Sequence, residues 1–390
     1  KKEPVRVPFE PKKINSLLGT DISKEDMLEY LSRVELAYDE ATNEIVAPTF
    51  RHDIFRTADI AEEVARFYGY DNIPTTLPSG EATTGKLPFK LRIEEVARDV
   101  AEYCGFSQGY CYSFESPKVF DKLQIPAEDE LRKAITISNP LGEDFSIMRT
   151  ISLNGMLTSL ATNYNRRNKN VRLYELGNVY LPKALPLTEL PDERMMFTLG
   201  MYGDGDFFDM KGVVEEFFDQ IGMHKKTEYD PKAGKTFLHP GRQALIGYEG
   251  EVMGYLGEVH PAVADTSGIG TRAYVAVLDI LNVVKHASFD RKYEGIAKFP
   301  AVNRDISMVV PKEIMVGQIE HMIAQRGGKI LEHFELFDIY EGDQIEKGFK
   351  SVAYSLTFRS KEKTLEEAEI NGTMNKILNG LEGMGIQLRK

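Results

Sequence analysis

Four carboxylates, Asp53, Asp59, Glu62 and Glu63, crowd into one short stretch of this chain. Asp59, Glu62 and Glu63 stand at i, i+3 and i+4, so on a helix their side chains gather over one face of the first turn. Asp53 lies just upstream, where a turn would bring it back towards them. Hard oxygen donors this close repel one another unless a cation or solvent intervenes. With no His or Cys ligand in the set, it suits magnesium better than zinc or copper. The same residues have a plainer use. Acids in a first helical turn offset the positive end of the helix dipole by about 0.3–1 kcal/mol each. Asp59 with Glu62 also has the spacing of a capping box.

A helix must position these groups. Ile60, Val64 and Phe67 recur at helical spacing and predict a buried stripe. Gly69 stands where a left-handed cap would end that helix, and Pro74 prevents its resumption. Around it, residues 1–75 read as a small α+β domain. A strand over 5–8, helices over 12–17 and 24–33 (the second beginning after Ser23) and a strand over 45–48 precede the acidic helix. Residues 76–86, rich in Thr, Pro, Ser and Gly, read as a linker.

Residues 85–290 form a second block. It opens with a helix over 89–103, where Leu91, Val96 and Val100 give an apolar face. Strand-like runs follow at 110–114, 134–138, 171–180, 195–201, 244–248, 252–256 and 273–278, with helices over 151–164 and 210–220. Strands that succeed one another with few crossover helices predict a largely antiparallel sheet. Residues 281–297 bridge to a third block, 298–390. There a strand (306–310), a helix (316–326), two strands (330–339 and 350–358), a helix (366–381) and a closing strand near Leu388 give the β-α-β-β-α-β order of a ferredoxin-like fold. The expected class is α+β, in three domains.

The 390 residues carry 48 Lys and Arg against 60 Asp and Glu, a net charge of -12 that argues against a surface coated in basic groups for nucleic acid. The imbalance is uneven: residues 1–75 hold 10 basic and 15 acidic side chains, residues 297–390 hold 13 and 14. No apolar run approaches a membrane span and no signal peptide opens the chain. Two cysteines, Cys104 and Cys111, without a CxxC or His-rich neighbourhood, exclude a disulfide framework and a zinc finger and place the protein in a reducing cytoplasm.

Pro48-Thr49-Phe50-Arg51-His52-Asp53, Asp59-Ile60 and Glu62-Glu63-Val64-Ala65-Arg66-Phe67-Tyr68-Gly69-Tyr70-Asp71 together resemble the B5 domain of the bacterial phenylalanyl-tRNA synthetase beta subunit family. Ile14-Asn15-Ser16-Leu17-Leu18-Gly19-Thr20 resembles that domain's opening. The second block resembles the family's catalytic-like domain at Ser138-Asn139-Pro140-Leu141-Gly142, Met148-Arg149-Thr150, Tyr174-Glu175-Leu176-Gly177-Asn178, His239-Pro240-Gly241-Arg242 and Gly257-Glu258-Val259-His260-Pro261. Phe299-Pro300, Asn303-Arg304-Asp305, Phe358-Arg359-Ser360 and Thr364-Leu365 resemble its ferredoxin-fold anticodon-binding domain.

This resemblance implies a magnesium site on Asp53, Asp59, Glu62 and Glu63, completed by the alpha subunit. It further implies an inactive catalytic-like scaffold for that subunit in an alpha2-beta2 assembly, and contact with the tRNA anticodon region. ATP is then used by the holoenzyme at the alpha subunit. The chain begins Lys1-Lys2-Glu3, and the family's N-terminal RNA-binding and editing regions have no counterpart in it, so a C-terminal fragment is expected. An independent metal-dependent enzyme and a free-standing RNA-binding paralogue are the alternatives.

A class II synthetase site needs arginines to neutralise ATP phosphates. Arg172 has two residues, not one, between it and Glu175. Arg272 has Thr271 where such sites need an acid, and a strand follows it. His239 and His260, each before a proline, read as loop-fixing residues, and Asp204, Asp206 and Asp209 as a solvated turn before a helix. In the third block Tyr354 and Phe358 read as core, while Arg304, Lys347, Lys350 and Arg359, near strand ends, are the candidates for RNA phosphate contacts.

Overall fold

The computed structural model describes residues 2–223, 227–293, 295–342 and 344–389 in two compact units, Lys1–Lys86 and Leu87–Lys390. In the first, β1 (Val5–Pro8), α1 (Pro11–Leu18), α2 (Lys24–Ser32), β2 (Ala37–Asp39), β3 (Glu44–Ala47) and α3 (Thr57–Tyr68) follow in order. The strands form an antiparallel sheet in the order β1-β3-β2. Ser23 caps α2 by accepting the Asp26 N–H at 3.1 Å. Phe9, Ile14, Met27, Leu31 and Ile45 pack with Ile60 and Val64 of α3 into one core. Burial contributes about 1.5–3 kcal/mol for each such side chain.

Two local expectations are corrected. Phe67 is only half buried; the guanidinium of Arg66 lies 4.4 Å and that of Arg33 5.8 Å from its ring, so cation–π contact replaces core packing. Gly69 does end α3, donating its N–H to Ala65 at 2.9 Å, but at φ 94 and ψ 122 it is not a left-handed cap, and a single 3-10 turn follows over Tyr70–Asn72.

The second unit begins with α4 (Phe89–Tyr103), β4 (Ser107–Gln108), β5 (Phe114–Glu115), α5 (Val119–Lys122), β6 (Ile147–Met148), α6 (Leu153–Asn165), β7 (Val171–Leu181), β8 (Asp192–Tyr202) and α7 (Phe207–Gln220). It continues through β9 (Thr227–Asp230), β10 (Leu238–Tyr248), β11 (Glu251–Val259), α8 (Pro261–Ser267), β12 (Ala273–Asp279) and α9 (Ile280–His286). Seven strands order as β4-β7-β8-β12-β11-β10-β9, antiparallel except for the β4–β7 pair. Helices cover both faces. Ile93 and Val100 of α4, Phe217 of α7 and Val283 of α9 pack on one side with Phe197 and Leu278. Val119 of α5, Leu157 of α6 and Val263 of α8 pack on the other with Tyr202 and Val275. Central β12 is therefore buried along all but its last residue, which is why its sequence is an unbroken apolar run rather than an alternation.

The runs at 110–114 and 134–138 do not form full strands. Only Phe114–Glu115 pairs, with β6, and the second run contributes a single bridge, Thr136 to Ile147. The backbone of the first run bonds elsewhere: Cys111 donates to the Glu175 carboxylate at 3.1 Å. Part of the expected bridge at 281–297 is instead α9, capped by Asp279, which accepts the N–H groups of Leu281 and Asn282 at 3.0 and 3.3 Å.

The remaining elements are β13 (Val302–Pro311), α10 (Val316–Gly327), β14 (Leu331–Tyr340), β15 (Phe349–Phe358), α11 (Glu367–Glu382) and β16 (Gln387–Leu388). Their sheet order, β14-β15-β13-β16, is antiparallel throughout and gives the ferredoxin-like topology. Tyr354 and Phe358 are fully buried in its core with Ile319, Ile323 and Ile377. Among the described residues no helix is long and apolar enough to cross a membrane.

Candidate functional site

Arg51, which follows a turn closed by its N–H to the Pro48 carbonyl at 3.0 Å, organises the acidic segment. Its Nε reaches Asp53 Oδ1 at 2.9 Å, and its Nη2 reaches Asp53 Oδ2 at 2.6 Å and Glu63 Oε1 at 2.9 Å. Glu63, 7% exposed, takes a second guanidinium from Arg66 on its other oxygen. The Arg51 hydrogen bond holds the Asp53 carboxyl down to about 2 against its slight desolvation, and the same contact raises Arg51. Stability from the Asp53 contact is thus present above the ordinary aspartate range and is lost as pH falls through about 2.

Asp59, 9% exposed, sits at the third residue of α3. Its Oδ2 accepts the N–H groups of Phe55 and Arg56, both at 3.0 Å, and its Oδ1 meets Arg56 Nε at 3.2 Å. Burial works to raise its pKa, but these donors outweigh it and leave the carboxyl below its ordinary value. Asp59 therefore closes the helix start from inside the first turn; it is not the cap residue that its pairing with Glu62 implied. Glu62 is exposed. Asp59→Ala should cost about 1–2 kcal/mol, the scale of a lost helix cap, whereas Glu62→Ala should stay within about 0.5 kcal/mol. Urea unfolding of the two variants checks this, and equal losses would refute the assignment.

The donor chemistry of these four residues suits magnesium, but their arrangement within this chain does not fit a cage. Three carboxylates hold guanidinium groups, Asp59 among them while it also closes the helix, and Glu62 is exposed. Among the described residues no group of three or more His, Cys, Asp and Glu side chains stands where it could hold a metal ion.

In the second unit Arg149 and Glu175, 26 positions apart in sequence, meet. Each is 2% exposed, with Arg149 Nη1 at 3.1 and 3.2 Å from the two carboxylate oxygens. Arg149 Nε also donates to the Asn178 carbonyl at 2.8 Å. Gly177 is required beside them: a Cβ there would lie 2.2 Å from Arg149 Nη2 and 2.8 Å from Glu175 Oε1. A second pair, Arg242 and Glu258, joins β10 to β11 at 3.1 Å, with Arg272 3.9 Å from the same carboxylate.

Arg172 donates to the Cys104 carbonyl at 3.2 Å and lies 3.5 Å from Asp204. His239 Nδ1 accepts from the Gly241 N–H at 3.1 Å, and His260 Nδ1 from the Ala262 N–H at 3.2 Å at the start of α8; both fix their own loops. Asp206 caps α7, accepting from Phe208 and Asp209 at 2.7 and 3.2 Å. Each of these groups has a local structural partner.

The four basic candidates of the last sheet separate into two pairs. Val302 lies opposite Phe358, so Arg304 and Arg359 share one end, where they approach Glu367 at 3.5 Å and Glu332 at 3.1 Å. Lys350 lies opposite Val310 at the other end, with exposed Lys347 just before it. At ~3.3 Å per residue, the strand between them spans about 30 Å.

Comparison with known families assigns a class first. Residues 7–70 match the tRNA synthetase B5 domain, and residues 297–389 match the ferredoxin-fold anticodon binding domain, modules of tRNA synthetases. Residues 73–280 match the phenylalanyl tRNA synthetase beta chain CLM domain. The chain belongs to the phenylalanyl-tRNA synthetase beta chain family. It is 44% identical over 393 residues to a phenylalanine–tRNA ligase beta subunit from Clostridium acetobutylicum, covering 100% of this chain and 49% of that protein. Its identity to the namesake from Clostridium tetani is 43% over 379 residues, 96% of this chain and 48% of the other. To the one from Moorella thermoacetica it is 34% over 400 residues, 100% and 50%. The chain spans about half the length of the curated relatives it matches.

Proposed function

We propose that this chain serves a phenylalanine–tRNA ligase as the supporting part of its beta subunit. It binds the catalytic alpha subunit in an alpha2-beta2 assembly and holds the anticodon region of the tRNA through the ferredoxin-like sheet. The holoenzyme joins phenylalanine to tRNA with ATP, in the cytoplasm, and the ATP chemistry belongs to the alpha subunit. The observation that carries this reading is the ordered succession of the three matched domains along one chain. It is supported by Arg172, which is engaged by Cys104 and Asp204 rather than left for phosphate.

Magnesium enters this reading only as an ion shared with the alpha subunit. Asp53 and Glu62 are the carboxylates open to such a partner, and Arg51 competes for the first of them. On the ferredoxin-like domain Arg304 with Arg359, and Lys347 with Lys350, are two separate phosphate contacts rather than one patch.

Phenylalanine-dependent ATP–pyrophosphate exchange tests the reading, with this chain alone and with purified alpha subunit added. No exchange alone and exchange on mixing is the expected result. Exchange by the chain alone, or failure of the two chains to associate, would overturn it.

A further inference from the structure

A cleft of about 830 Å³ opens in the second unit, lined by none of the basic strand-end residues and within the usual size of small-molecule sites. Its rim carries the exposed rings of Tyr110, Tyr112, Phe114 and Phe145, the second and fourth packed edge to face at 5.9 Å. Of its charged groups, Lys118 pairs with Glu143 at 3.2 Å and Asp121 with Arg132 at 2.6 Å, while Glu115 and Lys122 meet around Asn154. Glu115, at the end of β5, is 6% exposed. Its Oε1 accepts from Asn154 Nδ2 at 2.8 Å, and its Oε2 is buried without a hydrogen-bond partner. Lys122, at the end of α5, donates to Asn154 Oδ1 at 3.0 Å. The amide of Asn154 thus stands between an anion and a cation and bonds to both, so neither uses up the other. An ammonium keeps further N–H donors after one such bond, and a carboxylate with a buried bare oxygen calls for a donor.

We propose that this cleft binds a free aromatic or apolar α-amino acid as its zwitterion. The ligand ammonium meets Glu115, its carboxylate meets Lys122, and its side chain lies among the four rings. This stands on the cleft alone and not on the ligase reading. The groups that bear on Glu115 are Asn154 of α6, Lys122 of α5, Arg149 just after β6 and Glu175 of β7. Burial outweighs the cations among them and pushes Glu115 up to about 7. An incoming ammonium supplies the donor that Oε2 lacks, so affinity rises between pH 6 and pH 8 as the carboxylate ionises.

Calorimetric titration of the 390-residue chain at pH 8, with no alpha subunit present, tests this with three probes: L-phenylalanine, phenethylamine and 3-phenylpropionate. L-Phenylalanine should bind best and phenylpropionate worst. Glu115→Gln should weaken L-phenylalanine about tenfold or more, and Lys122→Met should weaken it several-fold while sparing phenethylamine. Tyr112→Ala, at a residue 79% exposed and so safe for folding, should weaken every probe that binds, since all three carry the phenyl ring. No heat from L-phenylalanine up to about 10 mM, or unchanged binding in both Glu115→Gln and Tyr112→Ala, would overturn the proposal. Because the alpha subunit is absent, that failure would leave the ligase reading untouched.

Discussion

Arg149→Ala should destabilise the second unit by about 3–5 kcal/mol, the cost of stranding one member of a buried ion pair. Glu175 would keep the Cys111 N–H at 3.1 Å but lose its only nearby guanidinium contact among the hydrogen bonds described, in a site 2% exposed. The Asn178 carbonyl would also lose its 2.8 Å donor. Most of this cost is the penalty of an uncompensated charge rather than the worth of the pair. Arg149→Met combined with Glu175→Leu should therefore recover most of the loss, since paired apolar replacements of buried ions are often neutral or better. Urea unfolding followed by far-ultraviolet circular dichroism reads both effects. A loss below about 1 kcal/mol for Arg149→Ala would mean that water reaches the pair and that its burial is not what holds β7 to the segment before α6.

Between pH 5 and pH 8 the chain should lose about 2–3 kcal/mol of stability through Glu115 alone. Burial raises its carboxyl from the ordinary 4.5 to about 7, so the folded chain holds a proton there that the unfolded chain has released. The protonated form is the one the fold tolerates. Its contribution is complete below 4.5 and disappears as pH rises through 7, at about 1.4 kcal/mol for each tenfold difference in proton affinity between the folded and unfolded chain. Glu115→Gln mimics that neutral form at every pH. The variant should match the parent near pH 5 and exceed it near pH 8. Parallel stability curves for the two proteins across this range would show that Glu115 ionises freely, and a fall in the parent on the acid side would reverse the sign of the argument.

What the sequence disclosed follows physical range. The Ile60 and Val64 stripe, Ser23 before α2 and the β-α-β-β-α-β succession were legible because local periodicity and capping chemistry encode them. Phe67 obeyed the same periodicity yet is only half buried, with Arg66 and Arg33, the residue that ends α2, lying against its ring. The reach of Arg51 to Glu63 was not visible, because spacing says nothing of a partner on the next helix. Arg149 and Glu175 both lie in motifs that carry the family resemblance, but 26 positions separate them and no period links them. The α9 helix had a readable signal in Asp279 before Ile280-Leu281, which the preceding strand-like run obscured. The cleft, assembled from residues between Tyr110 and Thr266, had no local signature at all.

The place of β13 in its sheet has a bearing on synthesis. It lies between β15 and β16, with Met308 opposite Leu388 and Val309 opposite Gln387, and Arg389 donates its N–H to Ser307 at 2.8 Å. The ribosome therefore delivers the first strand of this domain about eighty residues before the last partner it needs. At about 5–20 residues per second, that edge waits roughly 4–16 s with open backbone donors and acceptors, a state in which strands of neighbouring nascent chains can pair. Two residues of β16 then cover Met308 and Val309, so the shortest strand of the sheet is the last to shorten the stretch of that edge open to neighbouring chains.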